Sequence, residues 1–125
     1  MPSQIQDVDS LLLYLKNLEP GTLIPKPKSQ SHIIKGWGTR REEKALIYII
    51  PNQKHPFKPS EKGITLSEWT KAFNKMIDGE FSRKWFRENM KSCNGEGGCN
   101  FTTIGGIFML AELARYEQGV YKKTT

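Results

Sequence analysis

No stretch of this 125-residue chain approaches the ~20 apolar residues that a membrane-crossing helix needs, so a spanning protein is not expected. The N-terminus, MPSQIQDVDS, lacks the basic and apolar regions of a secretory signal, and a soluble cytoplasmic protein is the expectation. Cysteine and histidine are scarce: Cys93, Cys99, His32 and His55 are the only soft metal-ligand candidates, and their spacing matches no zinc pattern. Neither a metal nor a cofactor is therefore expected. A disulfide across the glycine-rich 93–99 stretch would be at odds with a reducing cytosol, which leaves two free thiols. Internal repeats are absent, and the only low-complexity piece is the Gly-rich turn at 95–98. The length leaves room for one core, so 1–125 reads as a single domain.

What the chain does have is positive charge, in one place. The net charge is +6, and residues 26–62 hold nine Lys/Arg against three Glu, so the whole excess lies in that block. Such a block favours an anionic partner. Nucleic acid and an acidic protein surface attract the same patch, and only the former should lose affinity steeply as salt rises.

The first half, 1–62, reads as a helix plus a β layer. Ile5, Val8, Leu11, Leu12, Leu15 and Leu18 mark an amphipathic helix over 7–18, started by Asp7 or Asp9 and stopped by Glu19-Pro20-Gly21. Thr22–Ile24 is a short strand candidate, and 25–28, with two prolines, favours an extended backbone. Residues 32–37 and 45–50 are the clearest strands, the second apolar on both faces as in a covered strand. Between them 38–44 is a charged hairpin tip. Trp37 beside Arg40 and Arg41 offers a stacking surface next to two guanidinium groups, a combination suited to phosphates and unstacked bases. A tryptophan turned into the core is the competing expectation. Residues 51–62, with three prolines, read as a loop.

The second half, 63–125, reads as three helices. Thr65-Leu66-Ser67-Glu68 matches a capping box, with Leu66, Trp69, Phe73, Met76 and Ile77 as a buried stripe before Asp78-Gly79. Phe81-Ser82 opens a second helix, 82–91, aromatic on one side and basic on the other. Ile104, Ile107, Phe108, Ala111 and Ala114 give a third, strongly apolar helix over 102–117. Gly105 and Gly106 cost roughly 1 kcal/mol each there, so another backbone or a ligand should come close. Residues 120–123 then form an edge strand.

That order, three helices and a terminal strand, resembles the winged helix-turn-helix domains, which usually bind DNA. The resemblance implies a third helix in the major groove and a second crossing the backbone. Asn100, Thr102 and Thr103 would then face bases, and Arg83, Lys84, Arg87, Lys122 and Lys123 would meet phosphates. The chain departs from the family in two ways: about ten residues separate Met90 from Thr102 rather than three or four, and the helix face that would carry Arg, Lys, Asn or Gln offers glycines, Met109, Glu112 and Arg115.

The expectation is therefore an α+β protein in which an N-terminal helix and a small antiparallel sheet pack on a winged-helix-like C-terminal half. Its expected role is a non-catalytic accessory or regulatory protein that contacts the phosphate backbone of nucleic acid, DNA before RNA. A protein-interaction or inhibitor module using the basic hairpin is the alternative. A small cysteine-dependent enzyme is the third class, with Cys99 as nucleophile and His32 or His55 as base. The Gly-rich turn before the last helix lacks the Lys-Ser/Thr pair of a phosphate-binding P-loop.

Overall fold

The computed structural model describes residues 5–51 and 60–124. Lys54, His55 and Lys58 lie outside them. The described residues form an α+β structure, with two antiparallel sheets and most helices following the first sheet. Helix α1 (Val8–Lys16) starts on a capping box in which Asp7 Oδ1 accepts from the Ser10 amide at 2.8 Å. Strands β1 (Leu23–Ile24), β2 (His32–Arg40), β3 (Glu43–Ile50) and β4 (Ser60–Thr65) form one sheet in the order β1-β2-β3-β4. Residues 60–62, expected as loop, belong to β4, where Lys62 pairs with Tyr48 and Ile64 with Leu46.

The β2–β3 connection is only two residues, shorter than the expected tip. Arg41 (φ 49°) and Glu42 (φ 63°) are both left-handed, the backbone of a type I′ turn, which Asn-Gly adopts with less strain.

Helix α2 (Leu66–Ile77) opens on the expected capping box: the Glu68 amide donates to Thr65 Oγ1 at 3.2 Å and the Thr65 amide to Glu68 Oε1 at 2.9 Å. Then come β5 (Glu80–Ser82), α3 (Arg83–Asn89), α4 (Lys91–Glu96), α5 (Asn100–Leu110), β6 (Ala114–Glu117) and β7 (Val120–Lys123). The last helix thus begins earlier and ends earlier than its apolar period suggests. Residues 114–117, expected helical, turn into β6 because they pair with β7, where Tyr116 meets Tyr121 across the ladder with ring centroids 5.1 Å apart. The second sheet has the order β5-β7-β6.

Helix α5 is the centre of the molecule. Residues 103–108 are all buried, as are Asn100 and Phe101. A Cβ on Gly105 would lie 2.2 Å from the Tyr121 ring of β7, and one on Gly106 would lie 2.4 Å from the carbonyl oxygen of Pro25. The close backbone approach expected from the paired glycines is therefore that of the segment following β1. Phe81, Phe86, Phe101 and Phe108 cluster around the helix, the Phe81 and Phe101 centroids 4.9 Å apart.

This packing predicts opposite signs for two Gly→Ala changes. Gly106→Ala should destabilise by about 1–3 kcal/mol, since a backbone carbonyl cannot yield as a side chain can. Gly95→Ala, with open space around its Cβ in α4, should stabilise by up to about 1 kcal/mol. Urea unfolding of the two variants reads both.

Candidate functional site

The first turn of α5 gathers polar groups from four elements. Lys26, placed by the Pro25 approach to Gly106, extends its amine to the Thr102 Oγ1 (2.9 Å), the Thr103 Oγ1 (2.6 Å) and the Cys99 carbonyl (3.2 Å). Burial lowers its pKa from 10.5 to about 7; the charge of Arg83 adds to the fall and Cys99 opposes it. Tyr48, from β3, donates its hydroxyl to Asn100 Oδ1, and its oxygen stands 3.2 Å from Cys99 Sγ. With the phenol proton committed to Asn100, the thiol is the donor in that second contact. Asn100 Nδ2 in turn donates to the Cys93 carbonyl at 2.8 Å. The Tyr48 pKa is pushed far up by burial, so the phenol stays protonated. His32 stacks on Tyr48 with centroids 5.5 Å apart, and its Nδ1 is buried with no partner among the described residues. Burial and then the Lys26 charge lower its pKa to about 4. Cys93 and Cys99 are both free thiols, the first buried and the second half-buried.

Beside this cluster lies an ionic latch. Arg41 grips Glu68 with two nitrogens, at 2.9 and 2.6 Å, donates to the Gly63 carbonyl at 2.9 Å and also pairs with Glu96. Arg40 Nε reaches the other Glu96 oxygen at 3.1 Å. The latch joins the β2–β3 turn to α2 and α4.

The candidate nucleic-acid residues therefore scatter. Trp37 pairs in register with Leu46 and packs against the core; Lys44, not an arginine, sits 5.4 Å over its ring. Arg40 and Arg41 are held by carboxylates. Asn100 is fully buried and its amide bonded on both sides, so it cannot face a base. Thr103 is buried and Thr102 partly so, both accepting from Lys26. Arg83 lies over the Phe101 ring at 4.7 Å and donates to the Gly98 carbonyl at 3.1 Å. Lys122 is 3.6 Å from Glu117, and Lys123 is exposed. Lys84 and Arg87 are exposed and make no ion pair among the described residues.

Lys26, Tyr48 and Lys62 are not candidates from the sequence. A lysine between two prolines and a tyrosine within a hydrophobic strand carry no local signal of meeting a helix start 51 to 77 residues on. Three further observations bound what the protein can be. No helix among the described residues is long and apolar enough to cross a membrane. No group of three His, Cys, Asp or Glu among the described residues is placed to hold a metal ion. Comparison with protein-family models, curated proteins and solved structures found no match to this chain.

Two outcomes follow. Between pH 7 and 10.5 the unfolded chain holds a proton on Lys26 that the folded chain lacks, so this group's contribution to stability grows with pH and is lost as pH falls through 7. From about pH 7 to about pH 8.5, below most thiol and phenol ionisation, stability should rise by about 1–2 kcal/mol from this group. Lys26→Met should remove the rise, as read by urea unfolding at each pH. Arg41→Ala should cost about 2 kcal/mol by leaving Glu68 without an ion pair and Glu96 with Arg40 alone, less than breaking a fully buried pair because each group keeps some water. A double-mutant cycle with Glu68→Gln measures the coupling.

Proposed function

We propose that this protein is a nucleic-acid-binding accessory protein that grips the phosphate backbone through the exposed side of α3 and α4. The observation that carries the reading is the set Lys84 and Arg87 on successive turns of α3 and Lys91 at the start of α4: three exposed cations with no ion pair among the described residues. Lys71 of α2 adds a fourth charge at the same edge, donating to the Asn89 carbonyl at 2.6 Å. A cleft lined in part by Ser67, Lys71, Asn89 and Lys91 runs between the two elements.

The order of residues 66–123 supports a winged-helix reading of this half. A helix, a short strand, two further helical segments, α5 and a terminal hairpin follow one another, and the early strand β5 joins the hairpin in one sheet. In that reading β6–β7 is the wing, with Arg115, Lys122 and Lys123, and α3 crosses the backbone. Helix α5 does not read bases, because the β1–β2 side of the molecule covers it. Contact is to phosphates, is tolerant of sequence and weakens with salt.

Fluorescence polarisation with a random-sequence duplex and a single strand at two salt concentrations tests this. Salt-sensitive binding is expected, with the duplex bound more tightly. Lys84→Gln/Arg87→Gln/Lys91→Gln should lower the salt slope by about three, roughly one for each phosphate that is no longer neutralised. Absence of binding at low salt, or an unchanged slope in the triple variant, overturns the reading.

A further inference from the structure

Three other cations meet at the turn that leads into α5, and the backbone-gripping face just described does not use them. Lys62, from β4, donates to the Glu96 carbonyl at 2.7 Å. Arg83, from α3, donates to the Gly98 carbonyl at 3.1 Å. Lys26, from the β1–β2 connection, donates to the Cys99 carbonyl at 3.2 Å. None of the three has an ion pair among the described residues. The one carboxylate in the turn, Glu96, is drawn away to Arg40, Arg41 and the Gly63 amide. Three elements far apart in sequence thus direct basic groups at three carbonyls of one four-residue turn.

Capping carbonyls does not by itself call for this. A neutral donor satisfies a carbonyl, whereas like charges gathered in a partly desolvated place oppose one another, and Arg83 contributes to holding Lys26 near neutrality. An anion reverses the sign of that interaction. Donors remain for one: Lys62 gives one of its three ammonium protons, and Arg83 one of its five N–H groups, to the carbonyls named above. The backbone is open to approach at Gly98, which is exposed, whereas Gly97 is closely packed. A Cβ there would lie 3.2 Å from Lys62 Cε and 3.3 Å from Cys99 Sγ. The eleven-residue helix that follows points its amino end at the same place.

We propose that the 96–99 turn is a docking site for a phosphate group, gripped by Lys62 and Arg83, with Lys26 as the third charge and the Cys99 thiol at its edge. The shared chemistry is a phosphate, free or carried on a nucleic acid, and the test separates the two sources.

Inorganic phosphate is titrated into the ¹⁵N-labelled full chain at constant ionic strength, with chloride as the matched salt. Saturable shifts are expected in the amides of Gly97, Gly98, Cys99 and Asn100 and in the Arg83 side chain. Lys62→Gln/Arg83→Gln should weaken phosphate at least about tenfold. Gly98→Ala is a second variant that leaves every charge in place. Its methyl fits at 3.7 Å from Arg83 Nη1 and from Asn94 Oδ1, so the fold survives while the approach to the turn is blocked, and phosphate should weaken again. The Lys84/Arg87/Lys91 triple variant should keep its phosphate shifts even where it loses duplex binding. Retention of duplex binding by Gly98→Ala marks free phosphate as the occupant, and its loss marks a nucleic-acid phosphate. Shifts that never saturate, or that persist unchanged in Gly98→Ala and the double variant, overturn the site whatever the outcome with DNA.

Discussion

Gly105 and Gly106 set how closely the chain packs on either side of α5. A helix with two adjacent side chains reduced to hydrogen lets the Tyr121 ring close on one side and the Pro25 backbone on the other. The helix loses roughly 1 kcal/mol of intrinsic propensity at each glycine, which burial of Phe101, Ile104, Ile107 and Phe108 offsets. The polar cluster is a consequence of this approach. Because Pro25 is pressed against Gly106, the next residue, Lys26, is carried to the start of α5. Thr102, Thr103 and the Cys99 carbonyl are there to receive its amine.

Charge is then sorted by the fold into three uses. Arg40 and Arg41 are committed to Glu68 and Glu96 and hold the hairpin down. Lys84, Arg87 and Lys91 face solvent. Lys26, Lys62 and Arg83 surround one turn. The net charge of +6 counts all of these alike. Only geometry tells a cation that locks two elements from one that is available to a partner, and the arginines most conspicuous in the sequence are the ones already engaged.

What could be read from the sequence was what local chemistry decides. The Thr65–Glu68 capping box, the stop after α1, β2 and β3 each depend on neighbours a few residues away. The misreadings depend on distant partners. Ala111 and Ala114 continue the apolar period of Ile104, Ile107 and Phe108, yet the helix ends before them because β7 offers a strand to pair with. Strand β5 has three residues and exists only as the far edge of that same sheet. Helix α4 runs through a stretch whose glycine suggests a turn. At the site, Asn100 is polar and reads as a surface residue; its amide is needed inside, between Tyr48 and the Cys93 carbonyl. A side chain's type says that it wants hydrogen bonds, not where it finds them.

The left-handed Arg41-Glu42 turn has a consequence for what keeps the hairpin in shape. Hairpins closed by Asn-Gly set their own register, because the turn prefers the shape that the strands require. Here the turn residues resist that shape, and what holds them is a guanidinium clasping Glu68 and Glu96, 27 and 55 residues further along. The left-handed turn of β2–β3 is thus held by α2 and α4 as well as by the ladder it closes. The shape of this hairpin tip therefore depends on contacts that are long in sequence, unlike a tip closed by Asn-Gly.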